Sequence, residues 1–227
     1  MWTTLAVKQV PRAGWSSDRP LNLRPPPLTL LLMMAGLVLL GIGEASLIAS
    51  GAGVSPWTVL AQGIETQTGI SIGWATFAVS VAVLLLWIPL KEIPGIGTIM
   101  NAIVVAAAMD WSLQYLPRPE VWPLQLLEVA GGILLFGAGS GLYLIANLGP
   151  GPRDGLMTSL QRISGRPIAL VRGVLEVSVV AFGWLLGGTV GYGTVMFALL
   201  VGPAVSFCMY WIARLSPAPQ PASEQVL

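Results

Sequence analysis

The sequence predicts an all-α integral membrane protein: six transmembrane helices built as two inverted three-helix repeats, each with an extra short connector helix. Three observations predict it. The chain has 227 residues, 55% of them hydrophobic and only 9% charged, whereas a soluble domain carries about 25% charged residues. Six apolar stretches are long enough to cross a bilayer, for which about 20 helical residues suffice. The chain also matches itself at an offset of 96 residues across three of those stretches.

The stretches run over Leu28–Ser50, Ile72–Leu90, Ile96–Leu116, Leu124–Ala146, Ile168–Gly188 and Gly193–Ala213. In hydrocarbon every backbone N–H and C=O must be paired within the segment, so such runs form helices. Trp74 and Trp87 bracket the second stretch, Trp111 and Trp122 flank the third loop and Trp211 closes the sixth, as an interfacial aromatic belt predicts. Orientation follows from the cations. With the N-terminus inside, the inner segments hold Lys8, Arg12, Arg19, Arg24, Lys91, Arg153, Arg162, Arg166, Arg172 and Arg214, and the outer loops hold only Arg118. Both termini are expected in the cytoplasm. Residues 1–27 are polar and lack a small-residue cleavage site, so they read as an N-terminal cytoplasmic tail. Residues 28–116 form the first membrane repeat, 117–214 the second and 215–227 a C-terminal cytoplasmic tail.

At the 96-residue offset, Gly36, Gly41 and Gly43 fall on Gly132, Gly137 and Gly139. Gly53 and Pro56 fall on Gly149 and Pro152, and Gly95, Gly97, Thr98 and Met100 on Gly191, Gly193, Thr194 and Met196. Each half holds three spans. Three is odd, so the halves lie in the membrane with opposite orientation, an arrangement common in secondary transporters. The glycines of spans one and four suit a close helix crossing at the pseudo-twofold axis, with a dimer interface as the alternative.

The connectors after spans one and four each place Gly and Pro before a short amphipathic helix, beginning at Pro56 and Pro152. Such helices are too short to span. They either lie in the interface or re-enter the protein and turn a positive N-terminal end toward a polar solute. Arg153, Arg162, Arg166 and Arg172 make the second connector basic, which serves topology and lipid headgroups or an anionic solute.

Ionisable groups within spans are expensive and point to function. Glu44, Asp110, Glu128 and Glu176 are such groups; Glu128, near a span end, reads as ordinary. Glu176 follows Arg172 by one turn, which predicts an ion pair. Glu44, Asp110 and Glu176 align at the offset with Ser140, Ser206 and Ser80, so one half supplies an acid where the other supplies a hydroxyl. The candidate substrate-binding or coupling residues are Glu44, Thr58, Asp110, Arg153, Asp154, Arg172 and Glu176. Glu44 and Glu176 are expected to line a polar path, one of them carrying a coupling proton.

The run Gly149-Pro150-Gly151-Pro152-Arg153-Asp154-Gly155-Leu156-Met157-Thr158, followed by Gly165-Arg166 and Leu170-Val171-Arg172, resembles the YczE-like bacterial membrane proteins of the YczE/YyaS/YitT group. Pro56-Trp57-Thr58-Val59-Leu60-Ala61-Gln62-Gly63 and Pro94-Gly95-Ile96-Gly97-Thr98 fit the same pattern. The resemblance covers most of residues 30–213 and implies a multi-pass protein of the bacterial inner membrane.

The chain has no histidine, and its single cysteine, Cys208, lies within an apolar run. Histidine-based acid–base chemistry and a disulfide framework are therefore excluded. No metal-ligand cluster, phosphate loop or nucleophile motif is present. The expectation is a non-enzymatic small-solute transporter, without cofactor or metal, whose polar site lies at the repeat interface. A non-transport scaffold or regulator is the alternative. The expected partners are the lipid bilayer, a small polar or anionic solute and a second copy in a homodimer, with no nucleic acid.

Overall fold

A computed structural model describes residues 10–218. Among them are eight helices and no strand: α1 (Pro27–Ala49), α2 (Pro56–Thr68), α3 (Ile72–Leu90), α4 (Ile96–Leu113), α5 (Trp122–Ala146), α6 (Pro152–Ser164), α7 (Ile168–Leu185) and α8 (Tyr192–Leu215). Six of them are long and apolar enough to cross a membrane, all but α2 and α6. The predicted spans and observed helices agree closely at most boundaries. Helices α2, α3 and α4 begin at 56, 72 and 96, and α6, α7 and α8 begin at 152, 168 and 192, each 96 residues later.

The two short helices are delimited by the same local chemistry. Pro56 and Pro152 stand at their first positions, where a missing N–H costs nothing. Gly69 and Gly165 close them in the left-handed region, with φ of 76° and 64°, a conformation that strains residues bearing a Cβ. Helix α2 packs inward through Trp57 and Ala61 and α6 through Leu156 and Met157, while Ile163 of α6 is exposed.

Helices α1 and α5 cross at the centre of the fold through paired glycines. A methyl group on Gly36 would meet the Gly139 carbonyl oxygen at 2.8 Å, and one on Gly43 would meet that of Gly132 at 2.7 Å. At the 96-residue offset these contacts exchange partners, since Gly36 corresponds to Gly132 and Gly43 to Gly139. The flanking helices dock in the same reciprocal way. Gly41 faces Ala108 on α4, and Gly137 faces Ala204 on α8. The Gly97 N–H donates to the Leu148 carbonyl at 2.8 Å, and the Gly193 N–H to that of Ala52 at 2.8 Å. Small residues allow such close backbone approach, which drives helix association in lipid.

The pairing is unequal around α7. Helix α3 packs along α4, whereas α7 packs on α2 and α6 and makes scarcely any contact with α8. Gly183 is the only buried residue of α7.

One expectation is corrected. Trp87 is not part of an aromatic belt: it is 2% exposed, packs with Leu156 and Met157, and donates from Nε1 to the Pro152 carbonyl at 3.1 Å. Trp74, Trp111, Trp122 and Trp211 are exposed, as a belt requires. Residues 10–26, within the N-terminal tail, dock on the helices. Ala13, Trp15 and Ser17 are buried. Asn147 Nδ2 donates to the Ser17 carbonyl at 2.8 Å, and Trp15 Nε1 donates to Ser216 Oγ at 2.9 Å.

Candidate functional site

All eight helices contribute to one cavity of about 340 Å³. Its wall includes Ser55, Trp57, Arg153, Asp154, Arg172 and Glu176. Helix α6 supplies Arg153 and Asp154 from its first turn because Pro152 fixes its start at the cavity edge. Helix α7 supplies Arg172 and Glu176, which form the expected pair with Nε to Oε1 at 2.7 Å.

Behind this wall lies Glu44, 2% exposed. Ser55 Oγ donates to its Oε1 at 2.9 Å and Thr58 Oγ1 donates to its Oε2 at 2.9 Å. Arg153 Nη1 stands 3.7 Å from Oε1, and its Cζ lies 5.4 Å from the Trp57 ring centroid. A buried carboxylate is tolerable only when its oxygens are bonded and its charge is offset, and these three groups do both. The expectation that Glu44 lines the path is corrected in position. Glu44 and Thr58 sit one layer back, behind Ser55 and Arg153, which are themselves on the cavity wall.

Burial lowers the pKa of the Arg153 guanidinium; Glu44 first and then Asp154 oppose the shift. The group stays cationic. Asp154 lies deep among protein atoms, and burial raises its pKa; Arg172 and then Arg153 counter that rise, and Glu176 adds to it. Its side chain is nevertheless exposed and opens to the cavity.

Asp110 is not brought to the cavity. Its carboxylate accepts from the Gly73 N–H at 2.7 Å and from Ser71 Oγ, clasping the first turn of α3 to α4. Arg162 pairs instead with Glu92, which also accepts from Ser159 Oγ at 2.9 Å. Ser80, Ser140 and Ser206, the hydroxyls aligned with the three acids, all line the cavity. Sequence reasoning passed over Ser55, Thr76, Asn101 and Tyr143 on the same wall. The offset held the signal for Thr76, which corresponds to Arg172. Nothing comparable marks Tyr143, whose hydroxyl donates to the Gly149 carbonyl at 2.8 Å.

Comparison with known proteins gives the chain relatives but no chemistry. An uncharacterized protein of Haemophilus influenzae is 42% identical over 213 residues, covering 94% of this chain and 97% of its own. The uncharacterized membrane protein YczE of Bacillus subtilis is 29% identical, covering 77% and 82%. The uncharacterized protein YyaS of Bacillus subtilis is 24% identical, covering 79% and 91%. No solved structure matches the chain. The resemblance read from the Gly-Pro-Gly-Pro-Arg-Asp-Gly run is thus borne out as a YczE-like membrane protein. Residues 28–210 match a single family profile, and the chain belongs to that family of unknown function, DUF6198.

Proposed function

We propose that this chain is a small-solute transporter of the bacterial inner membrane, in which two inverted three-span halves enclose one polar site. The observation that carries the reading is that most residues of the cavity wall come in pairs 96 residues apart. Trp57 and Arg153, Thr76 and Arg172, and Ser80 and Glu176 all line it. A site on the interface of inverted repeats requires such pairing. The paired chemistry is unequal, with the second half contributing the charges.

The unequal closure of the two halves also supports the reading. The Asp110 clasp ties α3 to α4, while α7 stands off from α8. By the distribution of Lys and Arg, the clasp is on the outer side and the gap on the cytoplasmic side. Exchange of these two conformations between the halves carries the site from one side to the other. No catalytic role enters this reading.

Impermeant maleimide labelling tests it, with single cysteines in a Cys208→Ser background. Thr68 and Ser164, a pair at the offset and both exposed, are expected to react only from outside and only from inside, respectively. Reaction of both from one side removes the inverted halves. A cysteine at Ser80 is then expected to be reachable from either side of the membrane. One-sided access under all conditions leaves a non-transport scaffold or regulator instead.

A further inference from the structure

We propose that the cavity binds a small organic zwitterion carrying a carboxylate and an ammonium group, of the amino-acid type; the inference rests on the reading of this cavity as a solute site. Four unmet side chains on its wall carry it.

The first is Arg153. Its side chain is 23% exposed and 3.7 Å from Glu44, too far for a hydrogen bond, and it makes no side-chain hydrogen bond among the described residues. Glu44 offsets the charge but leaves the planar fork of donors empty, and that fork matches a carboxylate. Beneath it, Trp57 Nε1 is buried with no partner among the described residues. An indole N–H can only donate. Thr76 Oγ1 is likewise buried and unpartnered. Ser112, Ser159 and Ser178 meet the same need by bonding the carbonyl four residues back in their own helices. Thr76 does not, although the Ile72 carbonyl occupies that position in α3. Buried polar atoms are rarely left unpaired, and here both belong to residues that line this one cavity.

The fourth is Asp154. Among the described residues its carboxylate lies within 4 Å of no cation and accepts no side-chain hydrogen bond, while Glu176 is committed to Arg172. Arg153 with Glu44 and Arg172 with Glu176 cancel in charge, and Asp154 remains over. An anion such as phosphate would meet the donors but add negative charge beside Asp154. A simple cation would meet Asp154 but leave the fork, the indole and the hydroxyl empty. A neutral polyol would leave Asp154 uncompensated. A carboxylate for Arg153, Trp57 and Thr76 together with an ammonium for Asp154 answers all four. The volume of about 340 Å³ is at the small end for ligand sites.

The test is calorimetric titration of the full chain in lipid nanodiscs with glycine, L-alanine, L-glutamine and glycine betaine, against propionate, ethylamine and inorganic phosphate. At least one zwitterion is expected to bind with one site per chain, and propionate and ethylamine at least about tenfold more weakly. Arg153→Lys keeps the charge opposite Glu44 but lacks the fork, and is expected to weaken zwitterion binding about tenfold. Thr76→Val keeps the shape and is expected to weaken it several-fold with an unchanged melting temperature. Asp154→Asn is expected to erase the preference for L-alanine over propionate. Absence of binding by all four zwitterions, or binding of propionate or phosphate as tight as theirs, overturns the proposal. Binding requires no transport, so failure of vesicle uptake with binding intact overturns the transporter reading alone.

Discussion

Glu44 of α1 and Arg153 of α6 face each other at 3.7 Å, with Ser55 and Thr58 holding the carboxylate from its other side. Glu44→Gln removes the charge while keeping the shape, and leaves the guanidinium without its counter-ion. Because Arg153 keeps 23% exposure, the expected loss is about 2 kcal/mol, less than the roughly 3–5 kcal/mol of a fully buried pair. The double variant Glu44→Gln with Arg153→Met is expected to recover most of it. Reversible unfolding in mixed micelles measures both.

The α1–α5 crossing predicts a sharp contrast between two glycines. A methyl group on Gly43 would meet the Gly132 carbonyl oxygen and the Phe136 backbone nitrogen, each at 2.7 Å, whereas one on Gly131 meets nothing within 4 Å. Gly43→Ala is expected to cost about 1–3 kcal/mol by overpacking. Gly131→Ala is expected to be neutral or to gain up to about 1 kcal/mol from helix propensity. Equal losses at the two positions would remove the close crossing as a source of stability.

The Asp110 clasp predicts a local effect. Asp110→Asn retains the side-chain oxygen but weakens the bonds to Gly73 N–H and Ser71 Oγ. A loss of about 1 kcal/mol corresponds to roughly fivefold faster amide exchange in the first turn of α3. Exchange in the first turn of α7 is expected to stay unchanged.

Asp154 predicts a dependence on pH. Its surroundings are Arg153 on its own helix, Arg172 and Glu176 on α7, and the Tyr143 hydroxyl from α5. Because burial raises its pKa, the folded state favours the neutral carboxyl more than the unfolded chain does. The contribution of Asp154 to stability therefore falls as pH rises through the raised value and returns as pH falls. Zwitterion binding needs the ionised form and is expected to move the opposite way, weakening on acidification. Asp154→Asn is expected to flatten both profiles in paired melting and titration series.

What the sequence made legible was whatever depends on contrast with lipid or on local spacing. The helix limits followed from hydropathy and from Gly and Pro, and the Arg172–Glu176 pair from its four-residue interval. Trp87 was misread because hydropathy separates apolar surroundings from water but not protein from lipid. Both accept an indole, and only packing against Leu156 and Met157 tells them apart. Asp110 and Glu44 looked alike as acids within spans, yet one clasps a helix end and the other holds an arginine from behind. That difference depends on which backbone N–H or hydroxyl approaches from elsewhere in the chain. The seat of residues 10–26 was hidden for the same reason, since short polar segments carry no periodicity from which docking can be read.

The segment containing Trp15 is made before all eight helices, yet its full set of partners is complete only after α8. Its partners are Ala146 and Asn147 at the end of α5, and Ser216 and Pro217 after α8. The last two exist only once α8 has been synthesised. During insertion the segment must wait outside the bundle. Its docking then ties the segment before α1 to the segment after α8, across all eight helices.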